Sequence, residues 1–226
     1  MFELPFETKL QKDFVKHHIK IIIIGFFIAL LLAIFAVIFE DIWEKDPRFI
    51  IFDKSIWDFI QTIRTPFLNG YFLKVTLLGN TLYAGIVAVI SFITLILLKR
   101  FRFAAIFMAS LIGDAVIVTF IKELVKRGRP EIASALITET DFSFPSGHAF
   151  TSICLYGLLF YFIFISTKNK AIKILTAISS LILVLSIGFS RIYLGVHWTT
   201  DVVASYVLST ALVLSILTVS EKLRSK

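Results

Sequence analysis

Charge is scarce in this chain. Only 17% of its 226 residues are Asp, Glu, Lys or Arg, 58% are hydrophobic, and the mean hydropathy is +0.89. A soluble domain is about 25% charged and about 45–50% apolar. The deficit argues against a water-soluble globule and for a membrane protein, because the excess apolar surface needs lipid to cover it. Cysteine is scarcer still. The sole Cys154 excludes an internal disulfide, and within its apolar run it reads as a small buried hydrophobe. There is no Pro-rich tract, no Ser/Gly-rich linker and no repeat, so the chain reads as one domain over residues 1–226. The net charge of +7 would suggest nucleic acid in a soluble protein. Here basic flanks on the cytoplasmic side of spans are the plainer reading, and no nucleic acid is expected.

Long apolar runs are what the chain has instead. A membrane-spanning helix needs about 20 predominantly apolar residues. Six runs qualify: Ile21–Phe39, Val75–Leu98, Phe103–Ile121, Ala149–Thr167, Ile174–Phe189 and Val202–Val219, the fifth being the shortest. The expected fold is all-α, a polytopic bundle of six transmembrane helices. The charged lead Met1–Lys20 and the long run after it fit a retained anchor helix rather than a cleaved signal. The first outside loop, Glu40–Lys74, mixes charges with Trp43, Phe49, Phe52, Trp57, Phe59, Phe67, Tyr71 and Phe72. It reads as an amphipathic interfacial segment along the headgroups or as a packed lid. The helical spacing of Trp57, Ile60, Ile63 and Arg64 suits either.

Orientation follows from Lys and Arg. The N-terminal lead, the second loop, the fourth loop and the C-terminal tail hold 13 of the 23 basic residues and four acids. The lead contributes Lys9, Lys12, Lys16 and Lys20 against Glu3, Glu7 and Asp13. The loops contribute Lys99, Arg100, Arg102, Lys168, Lys170 and Lys173, and the tail Glu221, Lys222, Arg224 and Lys226. Both termini are therefore expected in the cytoplasm, with loops one, three and five outside. Loop three breaks the trend with Lys122, Lys126, Arg127 and Arg129, which need another reason for their placement.

That reason lies in three blocks on the outside face. The first is Lys122 followed by Arg129-Pro130 at the close of the third span. Gly128 and Pro130 are stop residues, so Lys122 and Arg129 can converge on one anion. The second is Pro145-Ser146-Gly147-His148 at the start of the fourth span. Ser146 is a good N-cap, and the free N–H groups of Gly147 and His148 with the helix dipole make an anion site. The third is Ser190-Arg191 with His197 and Asp201. The i, i+4 spacing puts His197 and Asp201 on one helical face, where the carboxylate can accept the Nδ1–H and leave Nε2 as a nucleophile.

These blocks resemble the type 2 phosphatidic acid phosphatase (PAP2) superfamily, whose pattern is K-x6-R-P, P-S-G-H and S-R-x5-H-x3-D. Every fixed position is filled, in order. The resemblance implies a membrane-embedded lipid phosphatase that needs no metal and no cofactor. It implies that His197 attacks phosphorus, that Asp201 orients His197, and that His148 protonates the leaving oxygen and then activates water. It implies that Lys122, Arg129, Ser146, Gly147 and Arg191 hold the phosphoryl oxygens. Such a transfer spreads negative charge over the equatorial oxygens, so fixed cations do much of the catalysis.

The expected partners are a lipid phosphate and the surrounding membrane lipids. Undecaprenyl pyrophosphate, phosphatidylglycerol phosphate and phosphatidic acid all fit, and an extracytoplasmic site favours the undecaprenyl carrier. Transfer to a second lipid is an alternative to hydrolysis. An anion transporter is another, but transporters hold their site near the midplane, and these blocks sit at span ends. A vanadate-dependent haloperoxidase would have no use for six spans.

The remaining polar residues have plainer readings. His17 and His18 read as interface residues. Lys126 and Arg127 read as solvated headgroup contacts. Glu123, Glu131, Glu139 and Asp141 read as a solvated loop, since they lack compact metal-ligand spacing. Asp114 stands inside a span, where a carboxylate is costly. It is expected to face the interior and hydrogen-bond a neighbouring helix.

Overall fold

The computed structural model describes residues 9–131 and 134–224. Glu3, Glu7 and Lys226 lie outside the described residues, as do the side chains of Lys9, Lys12, Asp13, Lys16, His17, His18 and Arg224. Among the described residues every regular element is a helix. Five of the apolar runs form helical segments long enough to cross a bilayer. They are Ile19–Trp43 within α1 (Lys9–Trp43), Phe101–Val125 (α5), Gly147–Ser166, Lys170–Tyr193 (α8) and Thr199–Leu223 within α9 (Thr199–Arg224). The third of these is α6 (Gly147–Ser152) and α7 (Leu158–Ser166), joined through one wide π turn at Ile153–Gly157.

The remaining run, Val75–Leu98, is bent rather than continuous, and the bent pair taken together gives the sixth candidate span. Helix α3 (Pro66–Leu77) and helix α4 (Thr81–Leu97) meet at a 48° bend. The cause is local. Asn80 caps α4 by accepting from the Leu82 N–H at 3.0 Å. The Leu78 carbonyl, left without a helical partner, accepts from Tyr156 Oη at 2.7 Å.

The first outside loop is helical too. Helix α2 (Pro47–Thr62) opens on Asp46, which accepts from Arg48 N at 2.7 Å, and α3 opens on Thr65, which accepts from Leu68 N at 3.2 Å. Each has Pro in its first turn, where no N–H is needed. Asp53, Trp57 and Ile60 of α2 are buried against the bundle end, while Phe52 and Phe59 are exposed. The segment is therefore amphipathic, with its inner face packed on α8 and α9. Arg64 pins its end by donating to the Tyr193 and Ser134 carbonyls, at 2.8 and 2.6 Å.

Helices α8 and α9 approach closely. A Cβ at Gly188 would sit 1.9 Å from Tyr206 Oη, so only glycine fits, as at many membrane helix contacts. Outward faces of α1, α4, α5 and α8 carry exposed Phe26, Val89, Phe120 and Leu181, the surface that lipid would cover. The two bundle ends differ. Lys20 pairs with Glu221 at 3.2 Å and Arg102 donates to Ser220 at 2.8 Å, so these two basic residues meet the tail of α9. Asp201 is in the first turn of the same helix, whose 26 residues span about 39 Å. The three motif blocks thus gather at the opposite end from those two basic residues.

Candidate active site

Helix α5 delivers Lys122 from its last turn, α6 begins at Gly147 and His148, α8 delivers Arg191 from its last turn, and α9 begins just beyond His197. Lys122, Arg129, Gly147, His148, Arg191 and His197 line one cavity of about 540 Å³. Its lower part runs between α4 and α5, past Ala84, Gly85, Ala88, Leu111 and Ala115. A second cavity, about 390 Å³, lies between α1, α2 and the end of α5 and has no histidine in its wall.

The cations converge, as the spacing suggests, but onto carboxylates of loop three. Lys122 and Arg129 both donate to Asp141, and Arg191 donates to Glu139. The solvated-loop reading therefore fails for these two acids, because three fixed cations in one pocket draw whatever anion can reach them. Burial would raise the Asp141 pKa, but Lys122 and Arg129 hold it down at about 2. Arg191, 1% exposed, also donates to Thr76 Oγ1 of α3 at 2.7 Å.

His197 is 2% exposed. Burial lowers its pKa well below the usual imidazole range, Arg191, Arg129 and Lys122 lower it further, and a hydrogen bond with the Ser143 backbone works against them. These effects favour the neutral ring. Its Nε2 is 3.2 Å from Arg129 Nη1. Arginine only donates, so Nε2 is the unprotonated nitrogen. Nδ1 lies 3.4 Å from Asp201 Oδ2, without hydrogen-bond geometry. Here the expectation of one shared helical face needs correction. His197 precedes α9, and Asp201 sits in the first turn, where Oδ2 accepts from Trp198 N at 2.9 Å. The short spacing brings the pair together through a helix start rather than along a helix.

Ser146 occupies the N-cap position, but its hydroxyl makes no capping bond. Ser146 Oγ is buried with no hydrogen-bond partner, as is Arg191 Nε. Buried unpaired donors are costly and uncommon, and both belong to the predicted phosphate cradle. Helix α5 ends earlier than Gly128 and Pro130 suggest. Lys126 adopts the left-handed C-cap conformation at φ 51° and donates its N–H to the Lys122 carbonyl at 2.9 Å. Asp114 hydrogen-bonds the neighbouring helix as expected, through Thr151 Oγ1 at 2.6 Å. Cys154 is buried. Among the described residues no three His, Cys, Asp or Glu side chains gather as a metal-ligand set.

Sequence reasoning missed three residues. Arg127 is no solvated contact: it donates to Asp201 at 2.5 Å and to Asp53 at 2.7 Å. Asp53, from α2, is 2% exposed. Gly79 lies against the catalytic candidate His148, whose Cδ2 would be 2.6 Å from an added Cβ. Arg127 did leave a signal, as a basic residue against the positive-inside trend.

Residues 103–225 match the model of the PAP2 superfamily. The chain is 30% identical over 178 residues to phosphatidylglycerophosphatase B of Bacillus subtilis, covering 76% of this chain and 85% of that one. It is 30% identical over 115 residues to lipid phosphate phosphatase delta of Arabidopsis thaliana, covering 46% of this chain and 27% of that one. Among solved structures, the transmembrane PAP2-type phosphatidylglycerolphosphate phosphatase of B. subtilis superposes with TM-score 0.76 at 26% identity, over 86% of this chain and 96% of that one. LpxE of Aquifex aeolicus shares the fold, with TM-score 0.59 at 22% identity over 72% of this chain and 93% of that one.

Proposed function

The chain belongs to the PAP2 superfamily, and from that premise we propose that it is a single-domain, multi-pass membrane phosphatase that hydrolyses a glycerolipid phosphomonoester through a phosphohistidine, without a metal. The observation that carries this reading is the convergence of Lys122, Arg129, Arg191, His148 and His197 on one cavity that continues between α4 and α5. The polar end suits a phosphate, and the apolar channel below it suits a lipid tail.

The chemistry follows in two displacements. His197 Nε2 attacks phosphorus as the P–O bond to the lipid breaks, and His148, having taken up a proton beside the bound phosphate anion, gives it to the leaving oxygen. His148, now neutral, takes a proton from water, which attacks the phosphohistidine and frees phosphate and His197. Lys122, Arg129 and Arg191 offset the charge on the equatorial oxygens, Arg by a two-point fork and Lys as a point charge. The Ser146 hydroxyl and the Gly147 N–H complete the cradle. Fixed cations supply the charge neutralisation that a metal gives other phosphoryl-transfer enzymes.

Lys20 and Arg102 lie at the bundle end away from the site, which supports cytoplasmic termini and an extracytoplasmic site. Phosphatidylglycerol phosphate is placed first among substrates, ahead of undecaprenyl pyrophosphate and phosphatidic acid, because the B. subtilis relative carries that name over most of its length.

The test is phosphate release from these three lipids by purified protein in detergent, with and without EDTA, for wild type and His197→Ala. Wild type should favour phosphatidylglycerol phosphate and keep its rate in EDTA, and the variant should lose on the order of 10⁴-fold or more. Equal release by the variant would sink the phosphohistidine. Loss of activity in EDTA, restored by Mg²⁺, would sink the metal-free mechanism. Transfer of the phosphoryl group to a second lipid without free phosphate would make the enzyme a transferase.

A further inference from the structure

The geometry points to Arg127 and Asp53 as positioning residues, a clamp that fixes the Asp201 carboxylate and through it the His197 ring, so that turnover depends on the docking of surface helix α2. This rests on the reading of His197 as the nucleophile.

Both oxygens of Asp201 are engaged. Oδ2 accepts from Trp198 N at 2.9 Å and Oδ1 accepts from Arg127 Nη1 at 2.5 Å. The carboxylate therefore has one orientation, with Oδ2 3.4 Å from His197 Nδ1, close enough to act on the ring by its charge although no hydrogen bond is formed. Arg127 is held in turn. Its Nη2 donates to Asp53 Oδ2 at 2.7 Å, and its guanidinium stands 5.8 Å over the Trp198 indole. Asp53 is tied back to the start of α9, accepting from Thr200 N at 2.9 Å and from Thr200 Oγ1 at 2.5 Å. Asp53 and Asp201 are 2% and 0% exposed.

Two buried carboxylates thus share one guanidinium, and the planar fork sets their relative position as a flexible ammonium would not. Without Arg127 both buried anions would lose their shared cation and keep only neutral donors, so each would turn toward water or take up a proton. Without the Asp53 charge, the guanidinium would lose one of its two anchors. Arg127 lines the smaller cavity with Trp43, Phe49 and Trp198, not the cavity that holds the histidines. It has no place against the substrate and acts through Asp201.

A clamp of this kind predicts a loss in kcat without a loss in phosphate binding. The test uses the full chain in detergent, with Arg127→Gln, Arg127→Lys, Asp53→Asn and the Gln/Asn double variant. The readouts are kcat and KM on a lipid phosphomonoester, the inhibition constant of inorganic phosphate, and the melting temperature. Arg127→Gln should cost on the order of 10²-fold in kcat, the loss expected for a reacting group displaced by about 1 Å, while phosphate inhibits at nearly the wild-type concentration. Arg127→Lys should recover part of kcat, since it keeps a charge but not the fork. Asp53→Asn should cost less than Arg127→Gln, and the double variant should be little worse than Arg127→Gln, because both act through one guanidinium.

The clamp is overturned if Arg127→Gln and Asp53→Asn keep wild-type kcat, or if kcat and phosphate affinity fall in step, which would make the network a scaffold for the whole cavity. Should Arg127→Gln fail to fold, Arg127→Lys and Asp53→Asn carry the same comparison. Full turnover by His197→Ala would instead bring down the nucleophile reading on which the clamp rests.

Discussion

The two halves of the molecule are built differently. From α5 to α9, the ends of the helices converge on buried polar groups: Lys122, Ser146, Arg191, His197 and Asp201 are all within or against one cradle. From α1 to α4, the helices are mostly apolar and outward-facing, and three of their contacts reach polar groups in or beside the cradle. These are Asp53 on Arg127, Thr76 on Arg191, and Gly79 on His148. The difference teaches a division of labour. On the proposed reading, the C-terminal half supplies reacting groups and phosphate charge. The N-terminal half would then supply a wall for the lipid tail and hold Arg127, Arg191 and His148 in place. Small changes in the N-terminal half should therefore alter rate without replacing any reacting group.

The sharpest break in the comparison is Gly79→Ala. An added Cβ would lie 2.6 Å from His148 Cδ2, 2.9 Å from Ile187 Cγ2 and 3.0 Å from His148 Cβ. None of these is the far end of a flexible side chain, so the ring or the α3–α4 junction must move. A shift of about 1 Å in a proton donor costs on the order of 10²-fold. We expect that loss in kcat on every lipid phosphate, with inorganic phosphate still inhibiting as in wild type. Unchanged kcat would mean that the junction yields freely and does not position His148.

Thr76→Val asks the same of Arg191 at lower cost. The hydroxyl accepts from Arg191 Nη1 at 2.7 Å in a place where the guanidinium is 1% exposed. Valine keeps the shape and leaves a buried N–H unpaired, a penalty of about 1–3 kcal/mol. The guanidinium also loses a contact that aims it at the phosphate, so kcat/KM should fall roughly tenfold, at 1.4 kcal/mol per decade. A fall in melting temperature with kcat/KM unchanged would assign Thr76 to folding and leave the cradle independent of α3.

How much of this is legible in the sequence follows the same division. The helical class and five of the runs are readable because lipid demands long apolar stretches whatever the packing. The motif blocks are readable because each lies within a short stretch at a helix end. The α3–α4 break is not, since hydropathy averaged over Val75–Leu98 is blind to a backbone bend made by Gly79 and Asn80. Nor is Asp53: its partner Arg127 is 74 positions away, and no local pattern distinguishes it from the exposed Asp58 in the same helix. The helical-face argument for His197 and Asp201 finds the right pair by the wrong geometry, because four residues also bridge the start of a helix.

The smallest expected effect sharpens the comparison from inside the C-terminal half, where loop three supplies an anion of its own. Asp141 accepts from Lys122 and Arg129, the groups assigned to the substrate phosphate, so the carboxylate and the phosphate compete. Burial alone would raise the Asp141 pKa, but those two cations hold it at about 2, below the ordinary 3.8. A depressed carboxylate is ionised above that value, and its pairing is lost only as pH falls through it. Competition is therefore constant between pH 5 and 8, and any pH dependence there belongs to other groups. Asp141→Asn removes the competing charge. The side chain is 54% exposed, so the ion pairs are worth at most about 1 kcal/mol, and inorganic phosphate should bind up to roughly fivefold tighter. The free protein should melt slightly lower, with Lys122 and Arg129 left to repel each other, and added phosphate should restore the difference by mass action. Tighter phosphate binding with a lower melting point would show that Asp141 holds the cradle closed at the substrate's expense. Phosphate affinity equal to wild type would mean that the loop leaves the cradle without cost, and that only the distant N-terminal contacts tune it.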